Sequence, residues 1–134
     1  QSMAAFAKAY DYTAVMAMPY MEQAENPDEW LAQLAETSLA QVPAERLVFE
    51  LQSRNWRTDQ PIPDEELARW MQIIQRKGVK NFGYYPDDFH NNQPDPAVLK
   101  PVFSVQTQPQ PVQLPVAPAV PVSAAMATQA GAAR

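Results

Sequence analysis

Three short segments rich in β-branched, aromatic and other apolar residues recur along this chain at a fixed spacing. They run over residues 13–20, 46–52 and 79–85, so consecutive starts lie 33 residues apart (46 − 13 and 79 − 46). Each segment lies near turn-forming residues, and each is predicted to be a β-strand. The interval between strands leaves room for one helix.

The first interval carries the signals of a helix start. Asn26 is the expected N-cap and Pro27 the first helical residue, and acidic side chains follow near the positive end of the helix dipole. The Val42-Pro43 pair ends the helix. Its predicted apolar face consists of Trp30, Leu31, Leu34 and Ala35.

The second interval predicts a helix that begins near residues 63–66 and ends at Gly78. Its apolar residues follow the i, i+3, i+4, i+7 pattern and are Leu67, Trp70, Met71 and Ile74. Trp30 and Trp70 are therefore interpreted as core residues. Residues 3–10 are predicted to be the tail of one more helix.

This alternation predicts an α/β fold with a parallel sheet. A complete (β/α)8 barrel needs about 250 residues, whereas this chain holds three βα units. Since exposed edges of a parallel sheet are avoided, we expect residues 1–105 to form the last three units of such a barrel, a partial barrel whose other units precede Gln1. A small doubly wound sheet is the alternative.

The composition changes after Val105. Six of the 14 prolines lie between Pro101 and Pro121, and residues 106–134 are rich in Pro, Ala, Val and Gln. This segment is predicted to be a disordered tail. A proline-rich ligand for a partner is the alternative interpretation.

The charge and the rare residue types limit the chemistry. The net charge is −5, and all 15 acidic residues lie at or before Asp95, which disfavours nucleic acid and favours cationic partners. Ordinary solubility charge explains the same numbers. No cysteine is present and His90 is the sole histidine, so no metal site is expected within this chain. The sequence shows no signal peptide and no run able to span a bilayer.

Chemistry in parallel sheets lies beyond the carboxyl ends of the strands. Glu50 is the most informative residue there, because it shares a strand face with Val48 and Gln52, opposite Leu47, Phe49 and Leu51. A carboxylate on this inner face needs a substrate or a partner, and an ion pair with Arg54 or a similar residue of the strand ends is the alternative. The candidate substrate-binding residues are Tyr20, Glu22, Glu50, Gln52, Trp56, Tyr84, Tyr85, Asp87 and Asp88.

The aromatic candidates suit a carbohydrate, because flat rings pack on the C–H faces of sugars while carboxylates and amides bind hydroxyls. Filling of the barrel top is the alternative for these rings. Asp87 and Asp88 can form a carboxylate pair of the kind glycosidases use, although Asp88 is equally suited to cap the turn after Pro86.

Three segments at these strands resemble a known family. Residues 10–22 (YDYTAVMAMPYME), 47–56 (LVFELQSRNW) and 80–89 (KNFGYYPDDF), the last with Asn92-Gln93-Pro94, are similar to successive late-barrel strands of the poly-β-1,6-N-acetyl-D-glucosamine N-deacetylases of Gram-negative biofilm systems. The resemblance covers roughly residues 3–103. The Pro-rich tail departs from the family pattern.

The resemblance implies a function for the parent protein. Such proteins join a deacetylase domain, whose divalent metal is held by Asp and His, to a glycoside-hydrolase-like barrel that binds the partly deacetylated polymer and in some members cleaves it. It implies that the metal ligands and the principal catalytic residues lie upstream, that this fragment alone is inactive, and that no cofactor binds here.

The partners that the resemblance implies are the cationic polysaccharide, the upstream part of the same chain and an outer-membrane export protein. The implied location is periplasmic or associated with the outer membrane. Three hypotheses follow: part of a polysaccharide-modifying hydrolase, a non-catalytic carbohydrate-binding or export-guiding module, and a protein-interaction fragment that uses the Pro-rich tail.

Overall fold

The computed structural model describes residues 2–103. Helices and strands alternate along this part of the chain, as the spacing predicts. The elements are α1 (Met3–Ala9), β1 (Thr13–Ala17), α2 (Pro27–Leu39), a short 3-10 helix (Ala44–Arg46), β2 (Leu47–Gln52), β3 (Arg54–Asn55), β4 (Gln60–Pro61), α3 (Asp64–Lys77), β5 (Asn81–Tyr85) and α4 (Pro96–Phe103).

The three predicted strands form one parallel sheet in the order β1-β2-β5. Thr13 lies opposite Leu47 in the register of β1 and β2, and Val48 lies opposite Asn81 in that of β2 and β5. Strands β3 and β4 pair antiparallel in a small hairpin directly after β2. The predicted α/β class with a parallel sheet is therefore confirmed.

The helix ends follow the sequence signals. The Asn26 side chain accepts a hydrogen bond from the Glu29 backbone N–H, and Pro27 opens α2. At the other end of α3, Gly78 adopts a left-handed backbone with φ of 109°, a conformation that a side chain would strain. Both ends are as predicted.

One face of the sheet packs against the helices. Thr13, Val15 and Ala17 of β1 are buried on it, while Ala14 and Met16 between them are exposed. The same face of β2 meets the buried apolar residues of α3, which are Leu67, Trp70, Met71 and Ile74, as predicted. Trp30 is half-buried against this core.

The opposite face of the sheet, called the open face below, has no helix over it among residues 2–103. It carries Ala14 and Met16 of β1, Val48 and Glu50 of β2, and Gly83 of β5. The side chain of Met16 is exposed and the residue as a whole is 62 % accessible. Parallel sheets are normally covered on both faces, so the open face is the structural anomaly of this chain.

The strand bounds differ from the prediction at three places. Strand β2 begins at Leu47, because Arg46 belongs to the short 3-10 helix before it. Strand β1 ends at Ala17 because the next residues turn, with the N–H groups of Met21 and Glu22 both bonded to the Met18 carbonyl. Strand β5 begins at Asn81, after the N–H of Val79 has closed the end of α3.

The predicted domain boundary after residue 105 and the predicted disordered tail over 106–134 lie outside the described residues. Within residues 2–103, no helix is long and apolar enough to cross a membrane.

Candidate functional site

The carboxyl ends of β1, β2 and β5 meet at one edge of the sheet, because the strands are parallel. Three segments leave this edge: the loop 18–24 after β1, the hairpin segment 53–62 after β2, and the loop 86–94 after β5. We call this edge and its three segments the rim. The predicted site residues all lie on the rim or in the last residues of the strands below it.

Two of the predicted aromatic residues stack on each other at the rim. The ring centroids of Trp56 and Tyr85 lie 6.2 Å apart, and the ring planes differ by 24°. Trp56 is 38 % exposed and Tyr85 is 55 % exposed. Since offset stacked rings hold each other in place, the pair presents a preformed and accessible apolar surface.

Glu50 lies on the open face, as its alternation predicts. Its neighbours in register are Met16 on β1 and Gly83 on β5. A Cβ built on Gly83 would meet no heavy atom within 4 Å, so the space beside Glu50 is open. The alternative ion pair with Arg54 is wrong, because Arg54 binds Asp59 at 2.8 Å. Glu50 is half-buried, and its carboxylate has no hydrogen-bond or ion-pair partner among residues 2–103.

Gln52 does not face the rim surface, which corrects the prediction for this residue. It is fully buried. Its Oε1 accepts a hydrogen bond from the Tyr20 N–H at 3.0 Å, and its Nε2 donates to the Arg54 carbonyl at 2.9 Å. Both ends of the amide are occupied because the segments after β1 and β2 close over it.

Tyr20 lies on the helix side of the rim, which corrects its assignment as a sugar platform. Its ring packs at a tilt against Trp70, with centroids 5.5 Å apart, and its hydroxyl donates to Glu66. Burial and the hydrogen bond to the Glu66 carboxylate raise the pKa of Tyr20 to about 12. This residue ties the loop after β1 to α3.

Tyr84 also points away from the open face, because it pairs in register with the buried Leu51. Burial raises the pKa of the Tyr84 hydroxyl, and the nearby carboxylates of Asp87 and Asp64 add to this effect. Tyr84 and Asp87 line a cavity of about 170 Å³ beneath the loop 86–94. The side chains of Tyr84 and Tyr85 therefore lie on opposite faces of β5.

Asp88 organises its own loop. Its Oδ1 accepts hydrogen bonds from the N–H groups of His90 and Asn91, and its Oδ2 accepts one from the Asn91 side chain. These bonds, led by the one from the Asn91 side chain, hold the pKa of Asp88 below its usual value. The capping alternative is therefore confirmed for Asp88, and its carboxylate is not free to act with Asp87 as a pair.

Glu22 and Asp87 are exposed on two of the rim segments, and neither carboxylate has a hydrogen-bond or ion-pair partner among residues 2–103. A further cavity, of about 230 Å³, lies between the hairpin and the loop after β5. Its lining residues are Ser53, Arg54, Pro61, Pro86, Asp88, Asn91 and Gln93.

The sequence reasoning overlooked Phe89. This residue is 85 % exposed at the tip of the loop 86–94, the largest exposed fraction among the exposed large apolar residues of the described part. Its neighbours Asp87, Asp88 and His90 are polar, and an aromatic residue alone in a polar run after a strand is the signal that could have found it. It adds a third exposed ring to the rim.

Residues 2–103 contain no group of three or more His, Asp or Glu side chains able to hold a metal ion. His90 lies exposed in the loop after β5, where its backbone N–H binds Asp88.

Comparison with known proteins places this arrangement in a family. The family model described as hypothetical glycosyl hydrolase family 13 matches residues 1–85. The poly-β-1,6-N-acetyl-D-glucosamine N-deacetylase of Escherichia coli K12 is 42 % identical over an alignment of 117 residues, and the match covers 82 % of this chain and 17 % of that protein. The enzyme of the same name from Escherichia coli O157:H7 matches equally.

A solved structure matches the fold as well. The PgaB (BpsB) glycoside hydrolase domain from Bordetella bronchiseptica superposes with a TM-score of 0.72 at 46 % identity, covering 78 % of this chain and 30 % of that one. The chain spans 17 % of the length of the curated relatives. The resemblance expected from the three strand motifs is confirmed, and the chain belongs to hypothetical glycosyl hydrolase family 13.

Proposed function

We propose that this chain supplies part of the groove with which a polysaccharide-modifying hydrolase binds partly deacetylated poly-β-1,6-N-acetyl-D-glucosamine. The observation that carries the proposal is the exposed, stacked pair of Trp56 and Tyr85 above the open face that holds Glu50. Tyr85 follows Gly83 by two residues on β5, a rise of about 7 Å along the strand. One sugar chain lying along β5 can therefore reach both the rings and the carboxylate.

The rings suit the apolar faces of sugars. A pyranose presents C–H groups on its flat faces, and burial of these groups against exposed aromatic surface is favourable. Because Trp56 and Tyr85 already stack, little side-chain freedom is lost when a sugar binds. Phe89 is a further exposed ring on the loop after β5.

The carboxylates suit a cationic polymer. Glu22, Glu50 and Asp87 lack partners among residues 2–103, and deacetylation of glucosamine residues exposes amines that carry positive charge. Each exposed charge pair contributes only a fraction of a kcal/mol, so several must act together with the rings. Binding of this kind weakens as salt rises.

The open face supports a partial barrel that the upstream part of the same chain completes. Met16 is exposed in the middle of β1, where a parallel sheet normally carries buried residues. Beside it, a cavity of about 320 Å³ lies between α1 and the free edge of β1 and is lined in part by Phe6, Thr13 and Val15. The buried Thr13 hydroxyl has no hydrogen-bond partner in this structure. A preceding strand and helix would cover this edge.

In this proposal, catalysis belongs to the larger parent protein. Deacetylation with a divalent metal, and any cleavage of the polymer, would be carried out by residues outside this chain, and the fragment alone would be inactive. The protein would act in the periplasm or at the outer membrane and pass the polymer to an export protein there. A non-catalytic binding or export-guiding module is the second candidate, since the same groove serves both.

The test is binding of β-1,6-linked glucosamine oligomers to the protein as it is naturally expressed. Oligomers with free amines should bind more tightly than fully N-acetylated ones, and their binding should weaken as salt rises. Equal affinity for both, with no dependence on salt, would contradict it. Release of shorter oligomers on prolonged incubation distinguishes the hydrolase from the binding module.

A further inference from the structure

The side chain of Gln52 lies between the loop after β1 and the hairpin after β2. It is fully buried, yet it belongs to a polar residue type that is usually exposed. Its two hydrogen bonds reach Tyr20, 32 positions earlier in the chain, and Arg54, two positions later. A single amide group thus links the loop after β1 to the hairpin after β2.

Each linked segment carries a residue of the proposed groove. The loop 18–24 carries Glu22, and Trp56 follows β3 directly. Gln52 is also the register partner of Tyr85, whose ring stacks on Trp56. By hydrogen bond or by register, this one residue contacts the loop after β1, the hairpin after β2 and the last residue of β5.

We infer that Gln52 is a positioning residue, which sets the separation between the loop that carries Glu22 and the Trp56–Tyr85 pair. The inference rests on the proposed polymer-binding function, and it adds a residue that does not touch the polymer. Loss of the amide would leave the Tyr20 N–H and the Arg54 carbonyl buried without partners, a situation that proteins relieve by moving the chain. Such a movement would displace one side of the groove from the other.

Two variants of similar size separate positioning from simple packing. Gln52→Met fills the same space and removes both hydrogen bonds. Gln52→Glu keeps an acceptor for the Tyr20 N–H. When the carboxylate is ionised, its second oxygen faces the Arg54 carbonyl, and these two acceptors repel each other. When protonated, the carboxyl group has one acceptor and one O–H donor, as the amide does. Burial favours the protonated form as pH falls.

The expected result is a pH-dependent rescue. Relative to the unmodified protein, Gln52→Glu should bind glucosamine oligomers roughly tenfold more weakly at about pH 8, and nearly equally at about pH 5. Gln52→Met should bind roughly tenfold more weakly at both. The titratable groups around position 52 are Tyr20 with its partner Glu66, Arg54 with its partner Asp59, Glu50 on the same strand, and Tyr85, and all are present in every protein compared. Ratios to the unmodified protein therefore remove their own titration.

Two further measurements guard against a general loss of structure. The Trp56 indole N–H resonance reports the stacking on Tyr85, and it should shift in Gln52→Met. Ile74→Val is the control, because Ile74 is fully buried in the last turn of α3, at the opposite end of the strands. It should lower the unfolding temperature without changing affinity or the Trp56 resonance.

The inference is overturned if Gln52→Met binds like the unmodified protein with an unshifted Trp56 resonance, or if the Gln52→Glu ratio is the same at both pH values. A different result would overturn the proposed function. If Trp56→Ala left oligomer affinity unchanged, the groove itself would be contradicted, whatever the Gln52 variants do.

Discussion

Glu50 lies opposite Gly83 in the parallel register of the two strands, and the missing side chain at Gly83 leaves open space beside the carboxylate. A glycine inside a strand weakens the strand, and it often marks a place where a ligand approaches closely. Here the glycine borders the one half-buried carboxylate of the open face. The pair therefore defines where a bound sugar would contact the sheet.

Filling this space should block binding without harming the fold. Gly83→Val places a strand-favouring side chain where no atom lies within 4 Å, and the backbone at Gly83 is not left-handed, so the free energy of unfolding should be unchanged or slightly higher. Affinity for glucosamine oligomers, measured by calorimetry, should fall about tenfold if a sugar ring lies there. Undiminished affinity in a folded variant would place the polymer elsewhere.

Removing the charge of Glu50 should affect cationic ligands selectively. Glu50→Gln keeps the size of the side chain, so affinity for oligomers with free amines should fall a fewfold and depend less on salt, while affinity for fully N-acetylated oligomers stays constant. Glu45→Gln is the matched control, because Glu45 is exposed before β2, at the other end of the strands, where it binds Lys80. An equal loss of affinity in the two variants would mean that Glu50 acts only through the net charge of the protein.

One carboxylate of α2, that of Asp28, accepts a hydrogen bond from a buried indole of α3. Asp28 Oδ1 accepts a hydrogen bond from Trp70 Nε1 at 3.1 Å, and its Oδ2 binds Arg69. Asp28→Ala should lower the free energy of unfolding by about 1–3 kcal/mol in urea titrations, because the Trp70 N–H is left buried without an acceptor. Asp28→Asn keeps an acceptor and should cost clearly less. A larger loss in Asp28→Asn would assign the effect to the charge.

Local signals in the sequence predicted most of the fold. Asn26 caps the start of α2 and Gly78 caps the end of α3, in each case through contacts within a few residues. The apolar residues of α3 follow the period of the helix itself, which can be read from the local sequence. The alternation along β2 likewise placed Glu50 on the open face, since strand faces follow from residue parity.

The misplaced site residues depend on contacts between distant segments. The place of Tyr20 after a strand predicts a position in the groove, but its partner Glu66 lies 46 positions away on α3. Gln52 has the correct parity for the open face, and only the closure of two loops buries it. Neither contact leaves a local pattern in the sequence.

The stacked pair at the rim tests the central claim most directly. Oligomer affinity should be measured for Trp56→Ala, Tyr85→Ala and the double variant, with Tyr12→Ala as the control, because Tyr12 is an exposed aromatic residue at the opposite end of β1. Each rim variant should weaken binding about tenfold, and the double variant should lose less than the sum, since each ring holds the other in place. Unchanged affinity in both single rim variants, or an equal loss in Tyr12→Ala, would contradict a sugar-binding groove at this rim.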